Sequence, residues 1–517
     1  MSHRPTTASI ALAAGVALLT TTGVAATAAA APTAPPTIRC GTPARLPALR
    51  TARRAPRVAL GPTATKLVRE GFPGTFQVRE SANFAVKWQS AALSDADAQQ
   101  VLDALEEAYV FYVDGLGQAP PIGADTYKIN AYVAGPTDEP AIDYDGGYAY
   151  LDDDGYPFFV MSKNLVGAGG DAATIRHVTS HELYHDFQFT FPVYFEDAAF
   201  WYYEATAEWA SQELLPDLDV AFAFVGAYAL TAELAVFLHA DPFGADPVAG
   251  VHQYGASLFP RFVTETAADP TLVPRSWSTA SPGDDPLDVL DAVAGDVDLA
   301  DAFGDFAARA VRLDGLHGDA VAPWIDAYVA AYPGHDPVAA RVGAAGTTGW
   351  ATLTDRAPHA FGYVTIELAR PADGVLDLGV EVDAVGSRGG AAVGHATLVR
   401  DGADGVALTD GAGAIAVTLP ADEPTAWLSI AVTSTSRDVD ETFGVRYRQG
   451  PAPDPDPDPD PDPDPDPDPP VIDDGGCCST GGGAAGAGTS ALLALGVLAS
   501  LRRRRLRCPA ARATMGG

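Results

Sequence analysis

The sequence predicts an α+β protein, and three observations carry that prediction. Strand-like segments dominate from about residue 75 to 161, helical periodicity takes over from 171 to about 332, and short alternating segments return between 358 and 448. Strands first and helices later suit a domain with segregated elements, expected over residues 75–345. The later strands, split by Gly, Asp and Pro, suit a β-sandwich expected over residues 355–449.

Each element has a local reason. Residues 83–88 (Asn-Phe-Ala-Val-Lys-Trp) alternate as a strand should. Residues 94–112 read as a helix that Ser94 can cap, with Val101, Leu102, Leu105, Ala108 and Tyr109 at helical spacing. Residues 127–133 form another strand. Segments 148–151 and 156–161 flank Asp152-Asp153-Asp154-Gly155 and predict a hairpin, whose second strand could offer an edge to an extended peptide. Residues 171–189 and 198–215 predict two helices joined by a turn around Pro192. Further strands are expected at 362–368, 414–419 and 426–433.

Composition narrows the function classes. The 517 residues are 47% hydrophobic and 19% charged, enough to fold as two or three domains. A formal net charge of -35 excludes nucleic acid as an expected partner, since phosphate binding draws on basic patches. The cysteines are Cys40, Cys477, Cys478 and Cys508, none in CxxC spacing. Cys40 is expected to be a lone thiol or a partner of Cys477 or Cys478.

The ends predict export and display. His3 and Arg4 precede an apolar run over 10–19 and small residues through Ala31, the pattern of a signal peptide over 1–31. Residues 32–74 follow as a lead-in or propeptide. Alternating Pro and Asp over 451–470 predict a semi-rigid stalk. Residues 471–517 then bring Cys477-Cys478, a weakly apolar stretch over 481–501 and the arginines 502–505 and 507, expected as a sorting and anchor segment that attaches the chain to the membrane or outer surface. This tail resembles the C-terminal surface-sorting signals of myxobacteria called MYXO-CTERM. The resemblance covers about the last 40 residues and implies cleavage near Cys477 with attachment outside the cell.

The chemistry concentrates in His181-Glu182-Leu183-Tyr184-His185. Residues i and i+4 stack on one helix face, so both imidazoles can share one metal ion, with Glu182 beside it to take a proton from a water. Catalytic zinc takes three protein ligands and keeps one open position. Glu204, 19 residues after His185, offers the third on the next helix. Glu208, one turn on, could accept a hydrogen bond from the outer nitrogen of a ligand histidine.

These residues, with Glu204-Ala205-Thr206-Ala207-Glu208-Trp209, resemble the gluzincin branch of HExxH metallopeptidases, and within it a family of myxobacterial surface metalloproteases. The resemblance covers about residues 80–345. It implies a gluzincin-like fold, Zn2+ held by His181, His185 and Glu204, Glu182 as general base, and hydrolysis of protein or peptide substrates. Ala205 stands where many members have glycine. His252 and Tyr254 begin a downstream helix where related enzymes place an oxyanion donor; Tyr254 is the favoured candidate, with a core tyrosine as the other reading.

Other acidic and imidazole groups compete for roles. His177 lies four residues before His181, but Val178 follows it and leaves no base. Glu196 and Asp197 fall in the expected turn, and Asp186 and Gln188 are expected to cap or bond locally. Asp152 to Asp154 suit a hydrated turn better than a calcium loop. The competing function is a surface adhesin or scaffold with a vestigial zinc site.

Overall fold

A strand buried at every position must be covered on both faces, and the chain has three of these in a row in one sheet. In the computed structural model, which describes residues 32–52, 54–55, 65–91, 93–167, 170–401, 403–408 and 415–450, the first elements are β1 (Arg39–Cys40), α1 (Leu46–Leu49), β2 (Gln77–Glu80) and β3 (Phe84–Trp88). Helix α2 (Asp95–Val110) starts at Ser94, whose side chain accepts from the Asp97 amide while Asp97 accepts from the Ser94 amide, a complete capping box. Strands β4 (Ile129–Ala134), β5 (Gly146–Leu151) and β6 (Pro157–Ser162) follow. The expected signal peptide, Pro-Asp stalk and anchor segment lie outside the described residues.

These strands form one mixed sheet in the order β1-β5-β6-β4-β3-β2. The fully buried β3, β4 and β6 are its interior. Strands β5 and β6 pair antiparallel, as the hairpin pattern predicts, with Asp152 accepting from the Asp154 and Tyr156 amides in the turn. Asp152 and Asp154 also pair with Arg69. The expectation that the second hairpin strand offers a free edge is corrected here. Strand β6 lies between β5 and β4, so both of its edges are paired, and the outer strand of the hairpin is β5.

Two long helices follow, the first packed on β5 and β6 and the second packed on the first. Helix α3 (Ala172–Gln188) is capped by Asp171, whose carboxylate accepts from the Thr174 amide. Its residues from His177 through Gln188 are all buried, as is Phe200 through Gln212 of α4 (Phe200–Leu214). Burial all round leaves no solvent face, so the polar groups must find partners within the protein. Ser180 Oγ meets Ser211 Oγ at 2.9 Å, and the Gln188 amide donates to Tyr203 O and Thr206 Oγ1, each at 2.9 Å. The turn between the helices contains Tyr194 at φ 60°, fixed by its hydroxyl bond to Ser276 O at 2.8 Å. Helices α5 (Val225–Leu230), α6 (His252–Gly255), α7 (Leu258–Thr266), α8 (Leu272–Thr279), α9 (Pro286–Ala294), α10 (Leu299–Ala310) and α11 (Gly318–Ala331) complete the helical part.

Nine strands follow: β7 (Ala340–Val342), β8 (Ala351–Leu353), β9 (Gly362–Ala369), β10 (Val375–Val382), β11 (Ala392–Arg400), β12 (Ala403–Leu408), β13 (Ile415–Thr418), β14 (Thr425–Ser434) and β15 (Val445–Gln449). They form two sheets, β13-β10-β15-β8 and β12-β11-β14-β9-β7, which share one apolar cluster including Ile366, Leu376, Leu398 and Ile430. The module begins earlier than residue 355, because β7 pairs with β9 and β8 with β15.

The helical and sheet regions are not separated by a linker. Ala360, Phe361, Tyr363 and Val432 belong to the same buried cluster as the helices. The Tyr363 amide donates to Ala232 O and Val236 N to Phe361 O. Phe303 of α10 is fully buried, with ring centroids 5.1 Å from Phe259 and 5.2 Å from Phe361. Removing that ring opens a cavity on the seam. Phe303→Ala is therefore expected to cost about 3–5 kcal/mol of unfolding free energy, read by denaturant titration, with loss from both regions together.

Candidate metal centre

Helix α3 presents its third and fourth turns to α4, and that alignment assembles the site. His181 Nε2 lies 3.2 Å from His185 Nε2 and 3.2 Å from Glu204 Oε2; His185 Nε2 lies 3.5 Å from Glu204 Oε1. The spacing of the motif thus brings His181, His185 and Glu204 together, as expected. A fourth side chain joins them. Cys40 Sγ, from β1, lies 3.5 Å from His185 Nε2 and 3.9 Å from Glu204 Oε1. The four potential ligand atoms lie within 4.8 Å of one another, all buried, and could hold a metal ion.

The outer contacts set the histidine tautomers. Gln188 Oε1, which can only accept, sits 2.6 Å from His185 Nδ1, so that nitrogen carries the proton. His181 Nδ1 lies 3.2 Å from Glu208 Oε1, within ion-pair distance but out of hydrogen-bond alignment. Glu208 thus stands beside His181 without the hydrogen bond expected from its outer nitrogen, while its other oxygen accepts from His177 Nε2 at 2.9 Å. The inner nitrogens of both imidazoles and the Glu204 carboxylate face one point, with His181 Nε2 within hydrogen-bond distance of Glu204 Oε2. Two imidazole nitrogens, a carboxylate and a thiol gathered in one buried site are a donor set that could hold a metal ion.

The carboxylates differ in setting. Burial alone would push Glu204 up, but His185 and His181 outweigh it and hold the group at about 2. Glu208 is held at about 2 in the same way, by His177 and His181 against burial. Glu182 goes the other way. Burial pushes it up, and Glu204 adds to that against the opposing pull of His181 and His185. Its side chain lies under β5, where Gly147 makes room: a Cβ there would come within 2.6 Å of Glu182 Cγ. Asp186 does not cap or bond locally; both oxygens lack a hydrogen-bond partner among the described residues, and burial, then Glu182, keeps the group well above the carboxylate range.

Other candidates are placed elsewhere. His177 stands outside the ligand group and is a partner of Glu208. Glu196 and Asp197 are exposed and pair with Arg50. Tyr254 is buried beside His181, ring centroids 6.0 Å apart, and its hydroxyl donates to Cys40 O at 3.3 Å. His252 points away from the site, between Thr231 Oγ1 at 2.8 Å and Ala235 O at 3.0 Å. Burial depresses His252 to about 3. Between about pH 6.5 and 3 only the unfolded chain takes this proton, so stability falls with pH by about 1.4 kcal/mol per unit. His252→Gln is expected to flatten the acid limb of a stability–pH curve, the slope rather than the absolute stability being the readout.

A family model described as "Family of unknown function (DUF6055)" matches residues 75–399. The chain belongs to this family. No curated protein shows significant similarity to it. The DUF6055 match begins just before β2 and ends within β11, so it takes in α3, α4 and much of the two-sheet region together. Cys40 precedes the DUF6055 region. Of the two expectations for Cys40, the lone thiol is the one found, since among the described residues it is a free, buried cysteine; its place beside the histidines belongs to neither expectation. A signal was available: it is the one cysteine between the expected signal peptide and the stalk. Gln188 bonds locally, as the sequence predicts, and its local partner is His185. No helix among the described residues is long and apolar enough to cross a membrane.

Proposed function

We propose that this protein is an exported zinc-dependent peptidase, attached to the outer surface or released, that hydrolyses peptide bonds in proteins. One observation carries the reading: His181, His185 and Glu204 converge on one point with the Glu182 carboxyl beside them. Zinc–nitrogen bonds of about 2.0–2.1 Å at tetrahedral angles put ligand nitrogens about 3.3 Å apart; the two Nε2 atoms are 3.2 Å apart. In this reading the first region is a gluzincin-like catalytic domain and the two-sheet region a β-sandwich that buttresses it.

When bound, zinc supplies Lewis acidity, making a coordinated water acidic and polarising the scissile carbonyl. Glu182 takes the proton of the attacking water, for which its raised affinity for protons suits it, and passes it to the leaving amine. Tyr254 holds its hydroxyl toward a backbone carbonyl and serves as the donor to the developing oxyanion. Gln188 and Glu208 orient the two imidazoles.

A second reading is favoured by Cys40. Four protein ligands make a closed zinc site, which is the structural kind, and would suit a surface adhesin or scaffold. Glu182 argues against it, because a structural site has no use for a buried carboxyl beside the metal. The test is elemental analysis together with cleavage of an unstructured polypeptide, on the chain as isolated and after limited proteolysis. Stoichiometric zinc, and cleavage that a chelator removes and zinc restores, are expected; a chain without zinc would overturn the reading.

A further inference from the structure

We propose that the residues around Cys40 form an intramolecular block of the metal centre, in which the Cys40 sulfur takes the open coordination position and keeps the chain latent. This inference rests on the peptidase reading. It starts from three contacts made by neighbouring residues of one short segment. Cys40 Sγ stands 3.5 Å from His185 Nε2, and zinc–sulfur and zinc–nitrogen bonds of about 2.3 and 2.0–2.1 Å would place those atoms about 3.5 Å apart. The Cys40 carbonyl takes the Tyr254 hydroxyl at 3.3 Å. The Thr42 hydroxyl reaches Glu182 Oε2 at 3.3 Å. The open ligand position, the Tyr254 hydroxyl donor and the Glu182 base are thus all engaged by Cys40 and Thr42.

The segment is held as an extended peptide would be. Arg39 N donates to Asp145 O at 2.9 Å and Gly41 N to Gly147 O at 2.8 Å, adding β1 to the outer edge of β5. Ala149 N donates to Thr42 Oγ1 at 2.9 Å. Gly41 has Tyr144 against it, where a Cβ would meet the Tyr144 hydroxyl at 1.9 Å. Behind it, Arg45 donates to Gly41 O at 2.6 Å and stacks its guanidinium 3.4 Å from the Tyr148 ring centroid, while Leu46 and Leu49 are fully buried. The cavity left among Ile38, Cys40, Gly147, Glu182 and Tyr254 is ≈ 10 Å³, about the room of one water. A substrate strand cannot share this space, and the blocking segment precedes the family match.

A ligand tethered in the same chain competes at high effective concentration, so the block is strong without being permanent. On metal binding the Cys40 thiol would release its proton to solvent and ligate as the thiolate. An organomercurial halide would exchange its halide for that sulfur: the bond from sulfur to the metal breaks, the S–Hg bond forms, the halide leaves to solvent, and water takes the vacated position.

The test uses the full chain loaded with cobalt in place of zinc. Wild type is expected to show a thiolate-to-cobalt charge-transfer band in the near ultraviolet, and Cys40→Ser to bind cobalt without that band. With zinc, Cys40→Ser is expected to cleave an unstructured polypeptide roughly tenfold faster or more, since only the open fraction of the wild type turns over. The mercurial should raise wild type to the same level and leave Cys40→Ser unchanged. Cys40→Ala serves as the second variant, with circular dichroism to show folding. Bound cobalt without a thiolate band in wild type would overturn the ligand assignment, and a band with equal activity in wild type and both variants would overturn latency. Failure to bind cobalt at all would instead remove the peptidase reading beneath.

Discussion

Glu182→Gln, made in the Cys40→Ser background, is expected to lose hydrolysis by on the order of 10²–10⁴-fold while its zinc content stays at the parent level. The amide has nearly the same shape and still fits beneath Gly147, but it cannot accept the proton of the attacking water. Glu182 lies outside the ligand group, so metal affinity has no reason to change. Elemental analysis beside a progress curve on an unstructured polypeptide reads both quantities. Retained turnover would remove Glu182 from the chemistry, and lost zinc would mean that its carboxylate helps hold the metal.

Glu204→Ala carries the second large effect. On the peptidase reading its carboxylate supplies both the negative charge and the third donor, at 3.2 Å from His181 Nε2 and 3.5 Å from His185 Nε2. Loss of an outer partner of a metal ligand costs roughly 10–100-fold in affinity, so Glu208→Gln is expected in that range and Glu204→Ala beyond it. Competition with a chromophoric chelator ranks the three proteins. Equal zinc affinity in wild type and Glu204→Ala would sink the ligand assignment.

The candidate ligands were legible because helical geometry converts spacing into position. Four residues from His181 to His185 is one turn, and the buried stretches of α3 and α4 must lie side by side to satisfy Ser180, Gln188 and Ser211. Glu204 then falls opposite the two imidazoles. Cys40 was not legible, because a contact across 145 residues depends on which strand ends up outermost in the sheet. The hairpin pattern shows that two strands pair but not which of them has a neighbour on its far side, hence the misplaced free edge. The boundary between the helical and sheet regions failed for a related reason. Phe303, Phe361 and Tyr363 are apolar residues of ordinary periodicity, and nothing in their spacing says that they cover one another.

The burial of α3 has a consequence for how the protein breathes. From His177 to Gln188 every residue is enclosed, so amide protons there should exchange with solvent only when the whole fold opens. The short β1, tied to β5 by two backbone bonds on one side, can lift away in a much smaller fluctuation. The two parts of the candidate centre therefore rest on different supports: imidazoles and carboxylates on the enclosed stretches of two long helices, α3 and α4, and a sulfur on a two-residue strand at the sheet's edge.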